Sequence, residues 1–357
     1  MRIGGRVCAR PFFCSTFGIV VQGLHVENTE YFVALFTNLL HFMAKLIVNR
    51  LLLGVLTLFA VSVLIFVCTQ ILPGDVASAV LGQGATPEAL VIFRRELGLD
   101  VPAHLRYWHW LVGALHGDLG VALTNKRVII DEILPRMGNT LFLAAYAALI
   151  AIPLAVGLGV ISAINEGKWS DRLANVVTLV AISLPEFFIA YLLIIFLAVD
   201  VELFPSLSTV FKGMPFSERV YQSTLPAFTL TLLVAAHMLR MTRSSVLSVM
   251  STPYIEMAFL KGAPRRRVIV RHALPNAAAP IITVIALNMA YLVVGVVVIE
   301  AVFVYPGLGQ LMVDAVSKRD VPVIQACGLT FATVFVLLNT LADILVILVN
   351  PRLRHKR

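Results

Sequence analysis

Long uncharged apolar runs alternate with short charged segments along most of this 357-residue chain. A membrane-spanning helix needs about 20 predominantly apolar residues, and six runs reach that length. Glu186 is the one charged residue inside the third run, and Asp343 is the one inside the sixth. The pattern predicts an all-α membrane protein with six transmembrane helices, at Leu51–Leu72, Met137–Asn165, Leu173–Val199, Val220–Leu239, Ala273–Ile299 and Val321–Val349.

The charges between these runs predict the orientation of the chain. The N-terminal segment, the second and fourth loops and the C-terminal segment together hold 18 Lys and Arg against 5 Asp and Glu. The first, third and fifth loops hold 10 basic against 13 acidic residues. Because cytoplasmic segments of membrane proteins are enriched in Lys and Arg, both termini are expected in the cytoplasm and the long first loop in the periplasm.

Composition excludes most other classes of protein. The chain is 59% hydrophobic and only 13% charged, with a mean hydropathy of +0.91. Soluble domains carry about 25% charged residues, so a soluble enzyme is excluded. The net charge of +8 follows from the loop asymmetry and does not call for a nucleic acid. The four cysteines of the chain have no CxxC spacing, so neither a disulfide framework nor a zinc site is expected.

Sequence motifs of nucleotide and hydrolytic chemistry are missing from the chain. No lysine precedes Ser or Thr, as a Walker A motif requires. No histidine begins an HExxH motif, and no GxSxG sequence occurs. We therefore expect no enzyme activity from this chain, and any ATP hydrolysis would belong to a partner.

The first 42 residues resemble a signal peptide only in part. Arg2, Arg6 and Arg10 precede the mildly apolar stretch Phe12–Leu24. Polar residues interrupt that stretch, and no small-residue cleavage site follows it. We expect residues 1–42 to be a dispensable N-terminal extension, with organised sequence beginning at Met43.

The fourth loop, Arg240–Arg271, predicts a short cytoplasmic helix of about ten residues. Thr252 can cap its start, Pro253 fits the first helical position, and Gly262 should end it. The helix is apolar around nearly its whole circumference, so something must cover it. Two coverings are equally compatible with its physics: lipid headgroups, or a groove on another protein.

The same loop resembles a known family. Glu256-Met257-Ala258-x₃-Gly262, followed by Leu274-Pro275, resembles the EAA motif of bacterial ABC-importer permeases, E-A-A-x₃-G-x₉-I-x-L-P. Met257 and His272 depart from that pattern. Tyr254 and Lys261 add similarity to the dipeptide, oligopeptide and nickel branch. Further landmarks of the branch follow in order: Leu72-Pro73-Gly74-Asp75, Leu97-Gly98-Leu99-Asp100-x-Pro102, Gly117-Asp118-Leu119-Gly120, Tyr305-Pro306-Gly307-Leu308-Gly309, Arg319-Asp320-x-Pro322-Val323-x-Gln325 and Asn350-Pro351-Arg352.

The resemblance implies a type I ABC-importer permease fold in the bacterial inner membrane. Its parts would be residues 43–136 (first transmembrane helix and periplasmic loop), the permease domain 137–349 and a basic cytoplasmic tail, 350–357. The implied partners are a second homologous permease, two ATP-binding subunits and a periplasmic substrate-binding protein. ATP and Mg²⁺ would bind to the ATPase subunits, and this chain would hold no cofactor or metal. The implied ATPase-coupling residues, which favour the protein groove, are Tyr254, Glu256, Ala258, Lys261 and Gly262.

Three further features are candidates for roles in transport. Glu186 follows Pro185 in the third run, where a carboxylate costs about 2.5–3.5 kcal/mol on insertion scales. It is either a pathway residue that meets a substrate ammonium group or a protonated or paired glutamate that stabilises contacts between helices. Near the outer side, Pro306, Gly307 and Gly309 predict a turn, to which the resemblance adds the role of a gate. The first loop also predicts a helix, Pro87–Leu97, as a candidate dock for the binding protein.

Three functions are compatible with these observations. The resemblance favours the permease subunit of an ATP-driven, binding-protein-dependent importer for di- or oligopeptides or related small solutes. Permeases of this type also serve glutathione, nickel complexes, opines and sugars. A secondary transporter could use Glu186 and Asp343 as proton relays, although the internal repeat usual in such carriers is not evident. An intramembrane enzyme or an assembly scaffold is the third alternative.

Overall fold

The computed structural model describes Thr29–Ile71, Thr86, Glu88, Val91, Ile92, Arg95 and residues 101–349. Several predicted features lie outside these residues: 1–28, the motifs at 72–75 and 350–352, residues 97–100, and the tail 350–357. Of the predicted helix Pro87–Leu97, the four described residues (Glu88, Val91, Ile92 and Arg95) are helical.

The described residues confirm an all-helical protein, with one isolated bridge pairing between Val121 and Val128. Two helices, α5 and α8, continue into wider π-helical turns, at Ile194–Asp200 and Ile269–Ala273. The helices in chain order are α1 Thr29–Ile71, α2 Ala103–Leu115, α3 Ile129–Ile164, α4 Trp169–Ser183, α5 Glu186–Leu193, α6 Phe216–Met250, α7 Pro253–Leu260, α8 Arg265–Val268, α9 Leu274–Val302, α10 Leu308–Ser317 and α11 Val321–Val349.

Within the described part of the chain, five helical stretches are long and apolar enough to cross a membrane. The pair α4 and α5 becomes a sixth crossing if it counts as one span. The sixth predicted helix matches α11 at both ends. Helix α3 begins well before its predicted start, and α6 extends beyond both of its predicted ends. The five stretches are Ile47–Ile71, Ile129–Ile164, Phe216–Met250, Arg265–Val293 and Val321–Val346.

The prediction of one continuous third span, Leu173–Val199, is wrong. Helix α4 ends at Ser183, helix α5 begins at Glu186, and the two are bent by 107°. Leu184 and Pro185 between them have extended backbone. Proline causes this break because its ring disfavours helical conformation in the preceding residue and it lacks an N–H. Glu186 therefore lies in the first turn of a helix, not in the middle of a span.

The core forms where α3, α6 and α9 pack together. Along α3, small residues recur every three or four positions and are buried, so the helices can approach closely. At Gly159 a Cβ atom would lie 2.8 Å from Thr242 Cβ on α6. Larger side chains from α6 and α9, such as Leu230 and Leu292, complete the same packing. The small residues are Ala144, Ala147, Ala151, Ala155 and Gly159.

The chain divides into two compact units, residues 1–52 and 53–357. In the first unit the described residues are helical from Thr29 onward. The expected boundary between residues 42 and 43 falls inside this continuous helix. The packing and the candidate sites described below all lie in the second unit.

Candidate functional sites

The short helix α7 begins at Pro253, as predicted, and ends at Leu260 after eight residues. The predicted capping role of the Thr252 side chain is wrong. Its hydroxyl donates to the carbonyl of Val249, 2.7 Å away, and makes no bond to the α7 N–H groups. Thr252 still has the extended backbone of a residue that precedes a helix.

Gly262 ends α7 through a left-handed turn. Its φ is +77°, a conformation that glycine adopts at little cost. The Gly262 N–H donates to Phe259 O at 2.8 Å, and the Ala263 N–H donates to Ala258 O at 3.3 Å. These two bonds form the Schellman closure of a helix. A Cβ atom at Gly262 would meet nothing within 4 Å in this chain.

Helix α7 exposes most of its apolar side chains. Ile255 is fully buried and packs with Val268 and Ala273 in one small cluster. The remaining apolar positions form what we call the α7 surface, on which Leu260 is 75% exposed. Glu256 and Lys261 are exposed beside it, and Ala258 is partly buried. The α7 surface consists of Tyr254, Met257, Phe259 and Leu260.

Tyr254 contacts His272, a pairing that sequence reasoning missed. The Tyr254 hydroxyl and His272 Nδ1 are 2.8 Å apart, and the two rings meet edge to face. His272 occupies the position of isoleucine in the EAA pattern, so this polar contact exists only because the residue departs from the pattern. The contact joins the start of α7 to the helical turn at Ile269–Ala273.

A buried ion pair on the same side of the membrane was also missed. The Arg243 guanidinium on α6 donates to both carboxylate oxygens of Asp171 on α4, at 2.6 and 2.9 Å. Asp171 also accepts bonds from the Ser162 hydroxyl and the Gly167 N–H. It is 3% exposed. The arrangement ties the turn between α3 and α4 to α6.

Pro306 and Gly307 lie in the turn between α9 and α10, whereas Gly309, expected in the same turn, lies in the first turn of α10. The turn is built around Glu300. Glu300 is fully buried at the end of α9 and was counted as a loop charge in the sequence. Its carboxylate accepts bonds from the Gly309 N–H at 2.7 Å and the Thr140 hydroxyl at 2.6 Å. A Cβ atom at Gly307 would overlap this carboxylate. The turn therefore requires glycine where it passes Glu300.

Helix α3 holds the other side of this turn. The Asn139 Nδ2 atom donates to Pro306 O at 2.8 Å, and Tyr305 donates through its hydroxyl to Asn139 O at 3.2 Å. Burial raises the pKa of the Tyr305 phenol, so it stays protonated as a donor. Arg219 donates to Asn139 Oδ1 at 3.1 Å. Contacts from α3, α6 and α9 thus converge on one turn; its role as a gate stays a prediction.

Glu186 lines a cavity of about 600 Å³ at the break between α4 and α5. Helices α6 and α9 form the rest of the wall. His237, Asn288 and Tyr291 contribute polar groups to it, whereas Asp343 is not part of the lining. The apolar lining includes Leu184, Leu230, Val234, Val284, Leu287 and Leu292. The structure thus brings Glu186 and His237 to the same cavity.

The described residues contain no group of three or more His, Cys, Asp or Glu side chains that could hold a metal ion. The coupling residues, the turn and Glu186 also occupy three separate places. They lie on α7, at the link between α9 and α10, and at the cavity. Each is a different element of the fold, not part of one catalytic constellation.

Comparison with known families covers nearly all of the chain after its first 42 residues. The family described as "Binding-protein-dependent transport system inner membrane component" matches residues 155–355. Its N-terminal counterpart, "Binding-prot-dependent transport system membrane comp, N-term", matches residues 43–144.

Individual relatives match over their full length. The "Glutathione transport system permease protein GsiC" of Escherichia coli O6:H1 is 37% identical over 314 residues, which are 88% of this chain and 100% of the relative. The protein of the same name from Escherichia coli K12 is 36% identical over the same shares. The one from Salmonella typhimurium is 35% identical, again over 88% and 100%.

Proposed function

Because the chain belongs to the family of binding-protein-dependent transport system inner membrane components, we propose that it forms the translocation pathway of a peptide importer together with a second permease. The resemblance to ABC-importer permeases is confirmed by this membership. The chain is a multi-pass inner-membrane permease of an ATP-driven, binding-protein-dependent importer. Members of this family are the non-catalytic transmembrane components of importers that also contain an ATPase and a binding protein.

The α7 surface supports coupling to an ATPase subunit through the EAA-like loop. It leaves four large apolar side chains uncovered by the described chain, on a helix closed by the Gly262 turn. Covering such a surface with protein would remove apolar area from water, which contributes about 25 cal/mol of favourable free energy per Å². In this proposal ATP and Mg²⁺ bind to two ATPase subunits. Their movement is transmitted through α7 and the ion pair Arg243–Asp171 to helices α6 and α4.

The proposed substrates are di- or oligopeptides or closely related small solutes. The relatives named above are glutathione transport permeases, and glutathione is itself a small peptide. The motifs at Gly117–Gly120 and Tyr305–Gly309 support the same branch. A nickel complex is less well supported, because the described residues offer no metal-ligand cluster.

The observation that carries the proposal is the match to full-length permease relatives, and reconstitution tests it. The complete importer, with both permeases, the ATPase subunits and the binding protein, is placed in proteoliposomes with labelled glutathione or trialanine outside. We expect uptake that requires internal ATP and the ATPase and that a protonophore leaves unchanged. Uptake driven by a proton gradient without the ATPase would overturn the proposal in favour of a secondary transporter.

A further inference from the structure

The cavity at the break between α4 and α5 has the size of a small-molecule site. Its volume of about 600 Å³ falls within the roughly 300–1,000 Å³ usual for ligand pockets. Its wall is mostly apolar, with a few polar groups that could orient a ligand. The break places Glu186 on this wall, because α5 starts there instead of continuing the axis of α4.

Glu186 is the one carboxylate among the residues that line the cavity, and no Lys or Arg side chain lines it. It forms no hydrogen bond or ion pair with any other described residue, including His237 on the same wall. A half-buried carboxylate is costly unless a cation, a set of donors or protonation compensates it. The described chain supplies no cation, and the dipole at the start of α5 compensates the charge only in part, so a cationic ligand would lower the remaining cost.

Gly295 leaves room for such a cation next to the carboxylate. A Cβ atom at Gly295 would lie 3.9 Å from both Glu186 oxygens, in ordinary contact distance. Any longer side chain would therefore take up the space beside the carboxylate. An ammonium group fits there, because its three N–H donors can reach carboxylate oxygens from a compact point charge.

Asn288 offers a second contact with the right chemistry for a peptide. Its Nδ2 atom donates to Val284 O at 2.8 Å, so its Oδ1 atom is left as an acceptor towards a ligand. A peptide has an N–H group a few atoms from its terminal ammonium. Asn288 lines the same cavity about two helical turns from Gly295 along α9, so it matches an N–H group further along a peptide whose amine lies at Glu186.

We propose that this cavity is a subsite for the protonated amine of the transported substrate, an inference that rests on the proposed function. Glu186 binds the ammonium group, and Asn288 accepts from an N–H group further along the substrate. The subsite would give the permease its own preference for cationic ends, separate from the selection made by the binding protein. Ligands whose amine is acylated would lose this contact.

A thiol placed beside Glu186 measures the charge preference directly. Gly295→Cys is made in the full importer, with the four native cysteines replaced by serine or alanine. Its rate of modification is compared for two probes of similar size, methanethiosulfonate ethylammonium and methanethiosulfonate ethylsulfonate. The ratio of the two rates is the readout, because it cancels any effect of the carboxylate on thiol reactivity.

We expect one carboxylate at contact distance to raise the modification rate of the ammonium reagent, relative to that of the sulfonate reagent, at least about fivefold. Adding Glu186→Gln should remove that gain, whereas Asp343→Asn, at the other carboxylate within a span, should keep it. An unchanged ratio in Gly295→Cys/Glu186→Gln would overturn the subsite. This ratio reports whether Glu186 presents its charge beside Gly295, and the uptake measurement below separates a substrate contact from a structural charge.

Uptake gives the second readout and separates the two proposals. At saturating binding protein, Glu186→Gln should lower trialanine uptake at least about fivefold, and Glu186→Asp should retain most of it. Equal uptake by the wild type and Glu186→Gln would overturn the subsite while leaving the importer intact. If the wild-type importer itself showed no ATP-driven uptake, the proposed function would fail, and the reagent ratio would still report on the subsite.

Discussion

Glu300 shows how one buried side chain can shape a turn that the sequence only outlines. Its carboxylate accepts N–H groups from Gly309 and Gln310 at the start of α10, where the helix dipole favours a negative charge. The Thr140 hydroxyl donates to it and in turn accepts the Leu308 N–H. The turn is thus held by partners about 160 residues away in the sequence, which no local pattern reveals.

Gly309→Ala should destabilise the permease although alanine is a good helix former. The added Cβ atom would lie 2.6 Å from Val297 Cα, a backbone atom that can yield only if α9 and α10 separate. Overpacking of this kind costs about 1–3 kcal/mol. Gly138→Ala on α3 is the matched control, because its Cβ would meet nothing within 4 Å. Thermal unfolding in detergent should show a lower midpoint for Gly309→Ala; equal midpoints would contradict the close packing.

At the scale of elements, the buried pair Asp171–Arg243 joins α4 to α6 on the side that carries α7. The Arg243 side chain is 22% exposed and that of Asp171 5%, so the pair lies mostly out of water. Removing one member of a buried pair leaves a charge without a partner, which typically costs about 3–5 kcal/mol. In the sequence, Asp171 and Arg243 look like two charges on the protein surface. Because they are buried as a pair, they hold α4 in position against α6.

Asp171→Asn is expected to lower the free energy of unfolding by about 3 kcal/mol, at the lower end of that range because Arg243 keeps some water contact. The double variant Asp171→Asn/Arg243→Met should recover part of this loss, since no charge is then stranded. Arg127→Gln, at the pair Arg127–Glu132 in which the arginine side chain is 74% exposed, should cost less than about 1 kcal/mol. Chemical unfolding in detergent measures all three; a loss for Asp171→Asn no larger than that for Arg127→Gln would refute the role of the pair.

Sequence patterns locate the helices better than their interruptions and contacts. The apolar run Val321–Val349 gives both ends of α11, because the charges Arg319 and Asp320 stop it on one side. Pro185 was visible in the third run, but apolar residues on both sides hid a bend of 107°. The α7 helix and its Gly262 turn were predictable because their signals are local. The cavity was not, since its wall combines residues from four helices.

At the scale of the whole molecule, the proposed orientation puts α7 and both termini on the cytoplasmic side. This follows from the excess of Lys and Arg in the alternate loops, of which the short ones count most. A reporter fused after Arg357 should be active only in the cytoplasm, and one inserted near Gly84 only in the periplasm. A C-terminal reporter active in the periplasm would rule out this topology and, with it, access of an ATPase to α7.

The central claim is that α7 passes the work of an ATPase to the membrane helices, and Gly262 is the position at which to test it. Asn and Asp both tolerate the left-handed conformation found there, and this chain leaves the side-chain space open. Gly262→Asn and Gly262→Asp should therefore both fold and insert. Only the aspartate adds a charge that would be buried against an apolar groove, at considerable cost.

The deciding measurement is capture of the purified ATPase subunit by the permease carrying Gly262→Asp, with Gly262→Asn as the matched control. We predict that the aspartate weakens ATPase binding at least about tenfold, a loss of about 1.4 kcal/mol, while the asparagine retains more of it. Membrane abundance should be equal for the two variants. Full ATPase binding by Gly262→Asp would contradict the account, and the α7 surface would then be covered by lipid headgroups.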